Sequence, residues 1–280
     1  MTGMLEGKVA VIVGGAGEIG GGIASVLAAH GARVAVVDAA AGDRDVVGHI
    51  TRRFDVEQAD SHSAGELVAS ITEELGPVDV LVHNAHRRGV GDFLAVEPDE
   101  LRRVIAVDAR GPLLMGQAVG RELVRRGAPG RLIIVNSAAS LRAVPRTTAH
   151  ALAGAMAATL AQVAAVELAP HGITVNVVAA GWLRSSFLDC VDGELALSAI
   201  PAGRIGEPEE LGEVCAFLAS DASGYVSGAV IPVDGGYAVT KSPGGTPIRS
   251  SCGEPRDSIE PGVATPRPAR ISGVAEGGAR

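Results

Sequence analysis

Lysine occurs only at Lys8 and Lys241 in 280 residues, and tyrosine only at Tyr225 and Tyr237. Any chemistry that needs an amine or a phenol is confined to those four positions. The three cysteines, Cys190, Cys215 and Cys252, are too few and too scattered for a disulfide framework or a zinc site, so no metal is expected. Nothing opposes a reducing compartment, and a cytoplasmic location is the expectation. With 24 Lys+Arg against 32 Asp+Glu, the formal charge is −8 and no basic stretch offers a footprint for nucleic acid or an anionic membrane.

Long hydrophobic runs are also scarce. The first 13 residues carry Glu6 and a five-residue apolar run, which is not the pattern of a signal peptide. Residues 149–169 are long enough to span a bilayer, but ten of the 21 are alanine and the stretch includes His150, Gln162 and Glu167. They read as a buried helix. Aromatic residues are absent from 241–280, where 6 Pro and 7 Gly stand among 40 residues. Such a segment cannot bury enough surface to offset its ordering entropy, so it reads as a disordered tail.

What is present is an alternation. Short β-branched runs at 9–13, 33–38, 78–83, 131–136, 173–178 and 230–233 are separated by helical patterns such as 19–30, 99–126 and 209–220. This predicts right-handed βαβ units: an α/β, doubly wound Rossmann-type domain over 1–240 with a parallel sheet of about seven strands. Ligands then bind at the carboxyl ends of the strands.

The first run leads into Gly14-Gly15-Ala16-Gly17-Glu18-Ile19-Gly20 and a helix. Glycines let a pyrophosphate approach the backbone, and the helix amino terminus supplies unpaired N–H groups and partial positive charge. Asp38 ends the next run about 20 residues on, where a carboxylate accepts both ribose hydroxyls of an adenosine. That carboxylate would repel a 2′-phosphate, and Ala39 and Ala40 offer no cation, so NAD is favoured over NADP.

In these features the chain resembles the classical short-chain dehydrogenase/reductase family over about residues 5–240. The glycine turn is similar to the family's Thr-Gly-x-x-x-Gly-x-Gly, with Val13 for Thr and Glu18 for the middle Gly. Asp55-Val56 resembles the adenine-contacting Asp-Val pair, and Asn84-Ala85 the centre of Asn-Asn-Ala-Gly. Residues 176–185 resemble the stretch that holds the nicotinamide amide and a phosphate, with Ala180 for Pro, Gly181 kept and Ser185 for Thr. Residues 204–210, 220–228 and 233–236 match the carboxyl-terminal pattern. The resemblance therefore implies a dinucleotide held by Gly14, Ile19, Gly20, Asp38, Asp55, Val56, Asn84, Ala85, Gly181, Leu183 and Ser185. Glu18 either sets a negative charge beside the phosphates or faces solvent in the first helical turn, where it meets the helix dipole favourably; the second reading is preferred.

The family's chemistry rests on Asn, Ser and Tyr-x-x-x-Lys. The matching positions here are Asp108, Ser137, His150 and Gly154. One of the four is kept. Neither the Tyr nor the Lys stands at its matching position; Lys8 opens the first strand, Lys241 begins the tail, and Tyr225 and Tyr237 lie in the carboxyl-terminal elements. An imidazole with an ordinary pKa near ~6.5 exchanges protons around neutrality, so His150 can serve as acid or base, with Ser137 orienting the oxygen and Asp108 tuning the ring. Against this stands the reading of His150 as a relic filling the space of a tyrosine. His86 has two open readings, a second acid/base or a plug that shrinks the pocket, while His83 reads as packing under the cofactor.

Arg87, Arg88, Arg142, Arg146 and Arg184 fall on loops at the strand ends, where they either bind an anionic substrate or make ordinary surface pairs. Trp182 either walls the substrate pocket or packs in the core. The small-residue helix and the Asp234-Gly235-Gly236 end imply, by resemblance, a homodimer or homotetramer.

Three functions remain open: an NAD(H)-linked oxidoreductase acting on the alcohol or carbonyl of a small metabolite, an anionic one if the rim arginines bind it; a non-redox dehydratase, isomerase or cyclase on the same scaffold; and an inactive binding or scaffold partner. The first is preferred, because the cofactor end is largely retained beside a Ser/His pair.

Overall fold

The computed structural model describes residues 3–40, 48–186, 188 and 193–240. The tail assigned to 241–280, with Lys241 and Cys252, and Cys190 lie outside the described residues. Seven parallel strands form one sheet in the order β3-β2-β1-β4-β5-β6-β7: β1 Val9–Val13, β2 Arg33–Asp38, β3 Ile50–Arg53, β4 Val80–His83, β5 Gly130–Ser137, β6 Ile173–Ala180 and β7 Val230–Val233. The order reverses between β1 and β4, so a crevice opens at their carboxyl ends. The register sets Val13 beside both Val37 and His83, and His83 beside Ile134.

β1 is apolar at all five positions because both faces of the sheet are covered. On one face α2 (Ser61–Leu75), α4 (Gly111–Arg126) and α5 (Thr148–Leu168) pack through Leu67, Ile71, Met115, Leu123 and Ala161. On the other, α1 (Glu18–Ala29) and α7 (Pro208–Ala219) pack through Ile23, Leu27, Leu211 and Leu218. Each fully buried leucine, isoleucine or methionine side chain among them contributes roughly 1.5–3 kcal/mol. α2 starts at a capping box in which Asp60 accepts from the Ser63 N–H and the Ser63 hydroxyl accepts from the Asp60 N–H.

Three readings need correction. β3 was not among the strand runs: at the sheet edge Ile50-Thr51-Arg52-Arg53 buries only Ile50, and two arginines in four residues mask a strand pattern. The pattern over 99–126 is not one helix. It comprises α3 (Pro98–Ile105), a π-helical turn over Ala106–Arg110, and α4. Pro112 has no N–H to offer the Asp108 carbonyl and its ring would clash with it, so the turn widens; the Gly111 N–H bonds the Ala106 carbonyl instead.

Finally, α5 is long and apolar enough to cross a membrane by length and composition, yet only one stripe of it is buried. Ala149, Ala153, Ala157, Ala161 and Ala165 face the protein, whereas Leu152, Met156, Val163 and Val166 are exposed. α6 (Gly193–Ser198) is a short helix after the sixth strand.

Candidate functional site

A cavity of about 550 Å³ lies across the carboxyl ends of β1, β4, β5 and β6, within the usual range for small-molecule sites. All eleven residues assigned to the dinucleotide line it, as do Ser137 and His150. Asp108 lies beneath the wall, its side chain 3% exposed.

At one end, Gly14 has φ +79°, and a Cβ there would fall 2.5 Å from the Ala85 nitrogen. The glycine turn is thus held tightly against β4, and the Asn84 side-chain amide donates to the Gly14 carbonyl at 3.0 Å. Asp38 accepts from the Ala16 N–H (3.1 Å) and the Ala40 N–H (2.9 Å), which ties the turn to the end of β2. Gly17 precedes α1 without a side-chain cap, and a Cβ on it would meet nothing closer than 3.9 Å. Open backbone at a helix amino terminus, a carboxylate one strand away and an elongated cavity between them fit a dinucleotide.

Glu18 is the departure. It is exposed, as preferred, but not free: its Oε2 accepts the Ser186 N–H at 2.6 Å across 168 residues of sequence.

The other end is organised by Asp108. The π turn sets its carboxylate under the loop after β4, where Oδ1 accepts the Arg87 backbone N–H (2.8 Å) and Oδ2 lies 3.3 Å from His86 Nδ1. The same Oδ2 lies 3.3 Å from His150 Nδ1, in ion-pair range without hydrogen-bond alignment. The two imidazoles meet edge-on, with ring centroids 5.8 Å apart. With Nδ1 turned to Asp108, Nε2 is the nitrogen of His150 left for the cavity.

Burial opposes the charge on Asp108, but the charge and hydrogen bond of His86, together with His150, outweigh it and hold the carboxyl well below its usual range. Burial likewise opposes charging of His86. The Asp108 carboxylate outweighs that too and raises the His86 pKa. His83, by contrast, is pushed down to about 3, chiefly by burial and then by His86. Its Nε2 has no hydrogen-bond partner and lies against Gly111, so His83 is neutral packing.

Gly154 shows why no lysine stands there. A Cβ at this position would fall 2.6 Å from Ser140 Cβ and 2.8 Å from Asn136 Oδ1, and Asn136 Nδ2 donates to the Gly154 carbonyl at 2.9 Å. α5 has closed onto β5. Gly154→Ala is expected to destabilise the chain by about 1–3 kcal/mol in urea unfolding through overpacking; unchanged stability would show that the helix stands farther off.

Ser137 Oγ accepts the Ala139 N–H at 3.1 Å beside this contact.

The rim arginines have partners within the chain. Arg87 pairs with Glu57 (2.7 Å), Arg146 with Asp92 (3.6 Å) and Arg184 with Glu207 (2.7 Å). Arg142 donates to the Tyr237 carbonyl and stacks over its ring at 4.6 Å. Arg88 lines the cavity.

Trp182 does both things expected of it, lining the cavity while packing edge-on against Tyr237 at 6.0 Å. Tyr237 itself was missed. It lies 87 residues after His150, away from the position the resemblance assigns to a tyrosine, and the signal that could have found it is Lys241 four residues on; it lines the same cavity with its phenol pKa raised by burial.

A family profile described as Enoyl-(Acyl carrier protein) reductase matches residues 14–238. "Oxidoreductase UcpA" of Salmonella typhimurium is 33% identical over 258 residues, covering 86% of this chain and 98% of its own. A solved short-chain type dehydrogenase/reductase from Mycobacterium marinum superposes with a TM-score of 0.78 at 33% identity, covering 84% and 97% of the two chains. An Agrobacterium tumefaciens structure, described as a 2-deoxy-d-gluconate 3-dehydrogenase with bound NADP, gives 0.75 at 28% identity, covering 84% and 98%.

Proposed function

The chain belongs to the classical short-chain dehydrogenase/reductase family, a fold that binds nicotinamide cofactors, and from that premise we propose that it is an NAD(H)-linked oxidoreductase in which His150 takes the proton-transfer role of the usual tyrosine. The observation that carries this reading is the buried Asp108 carboxylate, 3.3 Å from Nδ1 of His150 at the cavity end opposite the glycine turn. When bound, nicotinamide supplies or accepts the hydride. In carbonyl reduction the Ser137 hydroxyl orients the substrate oxygen, and His150 gives its Nε2 proton to the oxygen as negative charge develops there. In alcohol oxidation the same nitrogen takes the proton back. Asp108 stabilises the imidazolium form from the Nδ1 side, as a carboxylate does for a general-base histidine.

Asp38 supports NAD over NADP, since a 2′-phosphate would approach a carboxylate already on the cavity wall. The bound NADP belongs to the Agrobacterium protein. The substrate is a small alcohol or carbonyl compound.

His150→Phe is expected to lower turnover about 10²–10⁴-fold, followed at the NADH absorbance band, with NADH affinity by calorimetry changed less than threefold. Undiminished turnover would remove His150 from the mechanism.

A second reading is favoured by the shared carboxylate itself. Two imidazoles on one Asp can donate and accept protons without hydride, as a dehydratase or isomerase needs. Substrate conversion with no change at the NADH band would select it.

A further inference from the structure

Glu18 is the first residue of α1, at the helix end where the preceding Gly17 supplies no side-chain cap, and its carboxylate bonds the Ser186 N–H at 2.6 Å. Gly17, Gly20, Ser185 and Ser186 all line the cavity. The link therefore joins the glycine turn to the 185–186 segment across the part of the cavity that a pyrophosphate would enter. Helix N–H groups and a loop N–H are what a phosphate oxygen seeks, and a carboxylate satisfies the same donors. The neighbouring Arg184 guanidinium is turned to Glu207 instead, held by both of its oxygens at 2.7–3.0 Å.

We propose that Glu18 is a built-in occupant of the phosphate cradle: pyrophosphate-bearing ligands bind only by displacing its carboxylate from Ser186, so Glu18 sets the affinity and ligand range of this cavity. The proposal rests on the reading of the cavity as a dinucleotide site. It predicts weak cofactor binding whose weakness resides in the phosphates, since nothing in the adenosine end at Asp38 is altered. An adenosine moiety and a pyrophosphate are thus read separately.

Calorimetric titration of the full chain, Glu18→Gly and Glu18→Gln with NADH, ADP-ribose and adenosine tests this, with thermal unfolding to verify that each variant is folded. Removing the carboxylate is expected to tighten NADH and ADP-ribose at least fivefold in the Gly variant and by a smaller factor in the Gln variant, which keeps an acceptor for Ser186. Adenosine should change less than twofold. If NADH and ADP-ribose bind the full chain and both variants alike, the occupant proposal is overturned while the dinucleotide reading stands. If only the variants bind NADH, the proposal is supported and the dinucleotide reading of the native chain is overturned. If none binds NADH or ADP-ribose, both are overturned.

Discussion

Asp108→Asn is expected to lower turnover about 10³-fold or more, with alcohol oxidation hit hardest and NADH affinity nearly unchanged. The carboxamide keeps an oxygen for the Arg87 N–H, so the π turn retains that tether. Its NH₂ group, however, faces the histidine nitrogens that an acceptor served before. A ring that receives a hydrogen bond at Nδ1 carries its proton on Nε2 and cannot take one from an alcohol. The buried carboxylate is also what raises the His86 pKa against burial, so in the variant His86 should titrate lower. NMR titration of the His86 ring reads this directly and would not move for a residue that only fills space. Unchanged kcat together with an unmoved His86 titration would sink the proposed role of Asp108.

The second large effect is on stability. His83 is 1% exposed and has a folded pKa of about 3, against an ordinary 6.5. Between those values the unfolded chain binds a proton at this residue that the folded chain refuses, so stability falls as pH falls, by about 1.4 kcal/mol per pH unit at most. From pH 7 to pH 4 this one ring should account for a loss of about 3 kcal/mol. His83→Leu keeps a comparable volume against Gly111 and removes the titration. Urea unfolding of both proteins at the two pH values measures the difference, in which the other histidines and the carboxylates cancel. Equal acid losses in the two proteins would refute the assignment.

Parts of the site were legible before any coordinates because the signals are local. An uninterrupted Val9–Val13 run, glycines at 14, 15, 17 and 20 and an acid at the end of β2 lie within 30 residues and require one another. The edge strand β3 was not legible, because a strand buried on one residue carries too little pattern. The break before α4 had a local cause in Gly111-Pro112, but the 3.6-residue rhythm continues on either side and conceals it. The spacing of Ser137 and His150 was readable by resemblance. That Asp108 lies under both His86 and His150 was not.

Composition, periodicity and turn chemistry thus determined the parallel sheet, the glycine turn with an acid one strand away, and the histidine and glycine at positions 150 and 154, because each is a property of the residue itself or of its neighbours. Tertiary structure alone decided that one carboxylate serves two imidazoles, that Gly154 is closed by Asn136 and Ser140, and that Glu18 reaches Ser186. Such pairings join residues 14 to 168 positions apart, and only the chain's closure around the sheet brings them together. No local pattern records a contact whose partners are selected by the packing of the whole domain.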